Sequence, residues 1–178
     1  PSGFGCWRFA SISQILFVCF LLPGLLMGCS EKLKPYIQEP VEKLYNQGLN
    51  SMQSGMYSDA VDSFSEVERQ HPYSIWATRA QLMVAYAHYL ANNYDEAILA
   101  LERYIQLHPS NKDVPYAMYL KGLSFYEQFS DVARDQKITE LALNSFKELI
   151  ARFPRSKYSR DAKVKLDLAE DHLAGKEM

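Results

Sequence analysis

The feature that most constrains this chain is a spacing of 37 residues that recurs along it. Gly48, Ala85 and Gly122 lie 37 apart, and the same 37 separates Ala60 from Ala97 and Pro72 from Pro109. In a third copy Ala142 and Pro154 each lie 45 beyond their partners, so eight residues are inserted between Gly122 and Ala142. Self-similarity at a fixed period is the mark of a solenoid, whose units bury their apolar faces only by stacking on copies of themselves. Within each copy the order is a small residue, an alanine, a large apolar residue (Phe64, Leu101 or Phe146) and a proline. The small residues let two antiparallel helices approach closely, and the large one fills the space between them. Proline has no N–H to donate and clashes with the preceding turn, so it ends the second helix.

That pattern resembles the tetratricopeptide repeat over residues 41–174, with Tyr57 and Tyr94 at the aromatic site of the inter-helix turn. The resemblance implies an all-α solenoid of antiparallel helix pairs. The repeats are expected at about 41–74, 78–111 and 115–156, the last carrying an insertion at 129–139, followed by a fourth first helix at 157–174. The insertion, FSDVARDQKIT, is charged and reads as an exposed loop. Thirteen residues separate each proline from the next small site, so each following first helix is expected to begin early and be about a turn long. The fourth helix carries Asp167 at its small site, and the polar set Asp161, Lys163, Lys165, Asp167 and Asp171 suits a cap.

In tetratricopeptide arrays the first helices line the concave surface, and positions two, five, nine and twelve of each repeat point into it. Carried over, that geometry selects Glu42, Tyr45, Leu49 and Met52, then Arg79, Leu82, Tyr86 and Tyr89, then Tyr116, Tyr119, Leu123 and Tyr126. Six of the twelve tyrosines fall there. Tyrosine offers a rigid apolar body with a polar tip at low entropic cost, which suits capture of an extended or helical peptide bearing aromatic side chains. The competing expectation is that these rings only pack between neighbouring helices, and the sequence leaves the two in balance.

The amino-terminal segment has a different character. Arg8 precedes the apolar run ILFVCFLLPGLLMGC at 15–29, shorter than the roughly 20 residues a spanning helix needs and interrupted by Pro23 and Gly24. A basic start, a short apolar stretch and a small residue before a cut are the anatomy of an export signal. The end of the run, Leu26-Met27-Gly28-Cys29-Ser30, resembles a bacterial lipobox, although Met27 stands where a small residue is usual. That resemblance implies that Cys29 accepts the lipid and becomes the first residue after cleavage. An ordinary signal with an incidental Cys29 is the alternative. The expected organisation is a signal peptide at 1–28, a lipidated, proline-bearing tether at 29–40 and the array at 41–178, in a chain that opens on Pro1 and is expected to be clipped there.

Composition and motifs exclude several functions. Lys and Arg number 19 against 21 Asp and Glu, so the clustered basic excess on which nucleic-acid binding rests is missing. All three cysteines, Cys6, Cys19 and Cys29, lie in the first 29 residues, which leaves the array without a disulfide framework or a thiolate metal site. His71 and His108 sit 37 apart at equivalent turns and cannot share one ion, and His88 and His172 have no acid or thiol at ligand spacing. With no phosphate loop, nucleophile elbow or HExxH motif, neither an enzyme nor a cofactor is expected.

Three local strings carry a more specific likeness: YAMYLKGL at 116–123, DVARDQ at 131–136 and RFPRSKYSRDA at 152–162. They resemble the family of outer-membrane protein assembly lipoproteins called BamD, or ComL-type, especially its alphaproteobacterial forms, over nearly the whole chain. The resemblance implies a non-enzymatic helical array of five repeats, lipid-anchored on the periplasmic face of the outer membrane. It implies as partners BamA, the other subunits of the BAM complex and unfolded outer-membrane protein substrates. It further implies that the sequence stops early, at GKEM 175–178, and retains the substrate-side half. The rival reading is a periplasmic repeat lipoprotein that scaffolds cell-wall or division proteins; it shares the signal and the repeats, and the three strings separate the two.

Overall fold

The structure is a computed structural model that describes residues 38–128 and 136–176. Among the described residues there are seven α-helices and no strand. They are α1 (Val41–Gln53), α2 (Tyr57–Gln70), α3 (Ile75–Leu90), α4 (Tyr94–Leu107), α5 (Val114–Glu127), α6 (Gln136–Arg152) and α7 (Lys157–Lys176). Each helix packs against the next along the chain, and α1 also touches α3, α3 touches α5 and α5 touches α7. The first helices of successive pairs therefore form one continuous row along the array, and this row carries the candidate site. No described helix is long and apolar enough to cross a membrane.

The small-to-large pairs of the repeat are the core contacts. A β-carbon placed on Gly48 would lie 2.7 Å from the Phe64 ring, and one on Gly122 would lie 2.4 Å from the Phe146 ring. Both phenylalanines are fully buried. The middle repeat uses Ala85 against Leu101 instead, a larger small residue facing a smaller large one, so the summed volume stays close to constant. Burial divides into two clusters: one around Leu44, Phe64 and Val67, the other around Leu101, Tyr104, Met118 and Phe146.

The turns repeat as well. Gly55 and Asn92, 37 apart, both take left-handed backbone angles, φ +74° and +59°, which close the α1–α2 and α3–α4 turns. Glycine and asparagine are the residues that enter this region most readily. The Ser74 hydroxyl accepts a hydrogen bond from the Ala77 N–H at 3.1 Å and caps α3. Asp59, Asp95 and Glu96 occupy the first turns of α2 and α4, where the helix dipole favours negative charge.

Two expectations about boundaries meet a difference. An early start holds for α3, which begins three residues after Pro72, whereas α5 begins five after Pro109; neither is about a turn long, since they run to 16 and 14 residues. Pro115 is the reason: a start at the position equivalent to Ile75 would put its missing N–H where the first helical hydrogen bond is donated, so the helix begins with proline inside its first turn. The stretch 129–139, read as a loop, contributes its last residues to α6, where Thr139 is buried. Residues 129–135 lie outside the described residues, as do Cys29, the signal and the tether up to residue 37. Directly after that point Glu39 is clamped to the end of α2, its N–H donating to Gln70 Oε1 and its carbonyl meeting His71 Nε2, both at 2.7 Å.

Candidate functional site

The row of first helices carries the aromatic residues singled out by the repeat register. On α1, Tyr45 stacks edge-on against Phe64 at 5.3 Å and lies 4.8 Å from the Trp76 ring, while Leu49 and Met52 are half-buried over the first core cluster. On α3 and α5, Tyr86, Tyr89, Tyr116, Tyr119 and Tyr126 are all half-buried over the second cluster, with Leu82 and Leu123 between them. The rings of Tyr116, Tyr119 and Tyr126 are joined through α6 and α7, and Tyr89 pairs with α4. Tyr116 and Tyr119 meet Tyr158 of α7 at 5.3 and 5.6 Å, Tyr119 and Tyr126 reach Phe146 at 6.3 and 6.4 Å, and Tyr89 meets Tyr94 at 5.8 Å. Tyr45 belongs to a separate cluster with Trp76 and is not part of this surface.

Two of these residues are tied down further by α7. The Tyr119 hydroxyl donates to Asp161 Oδ2, and the Lys165 ammonium sits 5.1 Å above the Tyr126 ring. Tyr86 differs, since it has no ring contact or hydrogen bond to any described residue. Tyr45, Tyr116 and Tyr119 thus pack between helices while remaining half-buried, and Tyr86 is half-buried without such ties.

Burial shifts the phenols in one direction. It is the main cause holding Tyr89 up at about 12, aided by the Glu127 carboxylate. Tyr116 is raised further, again chiefly by burial, and Tyr119 by burial followed by its bond to Asp161. These hydroxyls stay protonated throughout the neutral range and present O–H donors beside apolar ring faces. No group of three His, Cys, Asp or Glu among the described residues could hold a metal ion.

Trp76 and Tyr158 were not selected by the register, although a signal for them exists. Trp76, Asp113 and Tyr158 are equivalent positions, 37 and 45 residues apart, one turn before position two of each repeat. The extra turn at each junction adds a further inward-facing position, which two of the three repeats fill with an aromatic residue. Among the proposed capping residues, Asp161, Lys163 and Asp167 are exposed, whereas Lys165 is half-buried against the tyrosine surface.

Comparison with known proteins adds the following. Residues 37–178 match the family model YfiO, described as outer membrane lipoprotein. The chain is 44% identical over 168 residues to an outer membrane protein assembly factor BamD of Caulobacter vibrioides, covering 92% of this chain and 55% of the relative. It is 41% identical over 168 residues to the protein of that name from Rickettsia prowazekii, covering 94% and 67%. The chain thus spans between about half and two thirds of the length of these relatives. Among solved structures, the first TPR domain of Spaghetti (RPAP3), bound to an HSP90 peptide, superposes with a TM-score of 0.56. At 16% identity over 78% of this chain and 96% of that one, the likeness establishes the fold as a tetratricopeptide array.

Proposed function

The chain belongs to the YfiO family of outer membrane lipoproteins, and from that premise we propose that it is a non-enzymatic subunit of the machinery that assembles β-barrel proteins in the outer membrane. Its role there is to hold segments of unfolded barrel proteins on the row of first helices and to serve as a scaffold for BamA. The observation that carries this is the tyrosine surface spanning α3, α5 and α7, where Tyr86, Tyr89, Tyr116 and Tyr119 set hydroxyls beside apolar ring faces. Unfolded barrel segments alternate aromatic and polar residues, and such a surface offers a face for the rings and donors for the backbone carbonyls. Two relatives bear the name of the assembly factor, which supports the placement.

A photo-reactive residue in place of Leu123, within the tyrosine surface, tests the reading in cells. Adducts with newly made barrel proteins are expected from that position. The same probe at Leu99, exposed on α4, should give few. Equal adducts from both, or adducts from Leu99 alone, would move substrate contact off the row of first helices.

Attachment to the membrane is assigned to Cys29, the one cysteine that a mature chain cut after Gly28 keeps. Two or three acyl chains there give stable anchoring, since each buried methylene contributes about 0.8 kcal/mol and a single chain is marginal. Cys29→Ala is expected to shift the protein from the membrane fraction to the soluble one. Retention at high salt in cells without the other subunits would overturn lipid anchoring.

A further inference from the structure

A second recessed site lies at the edge of the array where α3 and α5 begin. A pocket of about 290 Å³ opens between two equivalent inter-repeat turns and is lined by Ile75, Thr78 and Arg79 of α3, Tyr104 of α4, and Lys112 and Asp113 before α5. Three observations there bear on what the pocket can bind. Tyr104 is 1% exposed and lines the pocket, and its hydroxyl makes no hydrogen bond to a described residue, which leaves its O–H free to donate. Burial, and second to it the Asp113 carboxylate on the pocket wall, holds that phenol up at about 12, so it stays protonated. Neither cation is neutralised: among the described residues Lys112 has no partner, and the guanidinium of Arg79 lies 5.6 Å over the Trp76 ring without an ion pair. Two cations against one carboxylate leave a single positive charge, a buried O–H donor completes the polar side, and Ile75 supplies an apolar wall that is 72% exposed. The helix dipoles of α3 and α5 add to the same sign.

We infer that this pocket holds a side-chain carboxylate, a glutamate or aspartate beside an apolar residue, of a peptide segment lying along the first helices. Arg79 and Lys112 bind the charge and Tyr104 donates to it. A side chain is assigned, rather than a chain end, because the pocket sits at the middle junctions and Arg79 faces the row of first helices, which runs past it in both directions. The exposed side chain of Ile75 on its wall suits the apolar neighbour. The assignment of a peptide as occupant rests on the function proposed above, and the test separates the two.

Three short acetylated peptides are titrated into the full chain in detergent. One carries a glutamate beside a phenylalanine and an amidated end, the second replaces the glutamate by glutamine, and the third is the glutamine peptide with a free carboxyl end. The glutamate peptide is expected to bind roughly tenfold more tightly than its amidated glutamine counterpart, as a charge-assisted contact allows. Tyr104→Phe keeps the buried ring, and Lys112→Gln removes a charge that touches nothing else. Each should cut that advantage several-fold while leaving the glutamine peptide and the melting temperature unchanged. Equal binding of the two amidated peptides, or an advantage that survives both substitutions, overturns the pocket while leaving the tyrosine surface in place. A gain confined to the free carboxyl end overturns the side-chain assignment. Failure of all three peptides to bind removes the peptide reading itself and this inference with it.

Discussion

Phe146→Ala is expected to destabilise the array by about 3–5 kcal/mol, the range for deleting a fully buried aromatic ring, and to lower the melting temperature by roughly 10–20 °C. Phe146 is completely buried, and its ring lies against Gly122, Tyr119 and Tyr126, so its removal opens the joint of the third pair and loosens the tyrosine surface above it. Gly122→Ala is expected to destabilise as well. Alanine favours a helix over glycine by about 1 kcal/mol, but the added β-carbon would stand 2.4 Å from Phe146, and overpacking of that kind costs about 1–3 kcal/mol. The middle repeat shows the compatible alternative, Ala85 against Leu101. The double change Gly122→Ala with Phe146→Leu should therefore be more stable than the sum of its parts predicts, by a coupling of about 1 kcal/mol or more. Unfolding of wild type, Gly122→Ala, Phe146→Leu and the double variant, followed by loss of helical signal, gives the coupling directly. Additive effects, or a Phe146→Ala cost below about 1 kcal/mol, would show that the small-to-large contact does not hold the pair together.

The same contacts explain what was legible in the sequence. Gly48 with Phe64, Ala85 with Leu101 and Gly122 with Phe146 are local, recur at a fixed offset and carry opposite volume demands, so the helix pairs can be read from residue types alone. Where the register was interrupted by another rule, it misled. Pro115 moves the start of α5 because a missing N–H outranks periodicity, and the first turn of α6 begins inside a stretch whose charge suggested a loop. In the candidate site the tyrosine positions followed from the register, since position in a repeat determines the face of the helix. Their partners did not. The bond from Tyr119 to Asp161, the stack on Tyr158 and the ammonium of Lys165 over Tyr126 join α5 to α7 across an insertion of irregular length. The unpartnered hydroxyl of Tyr104 has no sequence signature, because it depends on what fails to come near it.

Peptide binding along the row of first helices turns on Tyr86. Replacing both Tyr86 and Tyr119 by alanine removes two anchors worth about 1–2 kcal/mol each, so affinity for an aromatic-rich segment of a barrel protein should fall at least tenfold. The two residues play unequal parts in the fold. Tyr119→Ala also breaks the stack on Tyr158, the contact with Phe146 and the bond to Asp161, and should lower the melting temperature. Tyr86 has no such ties, and Tyr86→Ala should stay close to wild type in stability. The deciding measurement is calorimetric titration of that peptide into wild type, Tyr86→Ala and the double variant, at a temperature where all three keep their full helical signal. A stepwise loss is expected, several-fold for Tyr86→Ala and at least tenfold for the pair, without loss of helix. Titrations that superimpose for three folded proteins would contradict it and leave the tyrosines as packing alone.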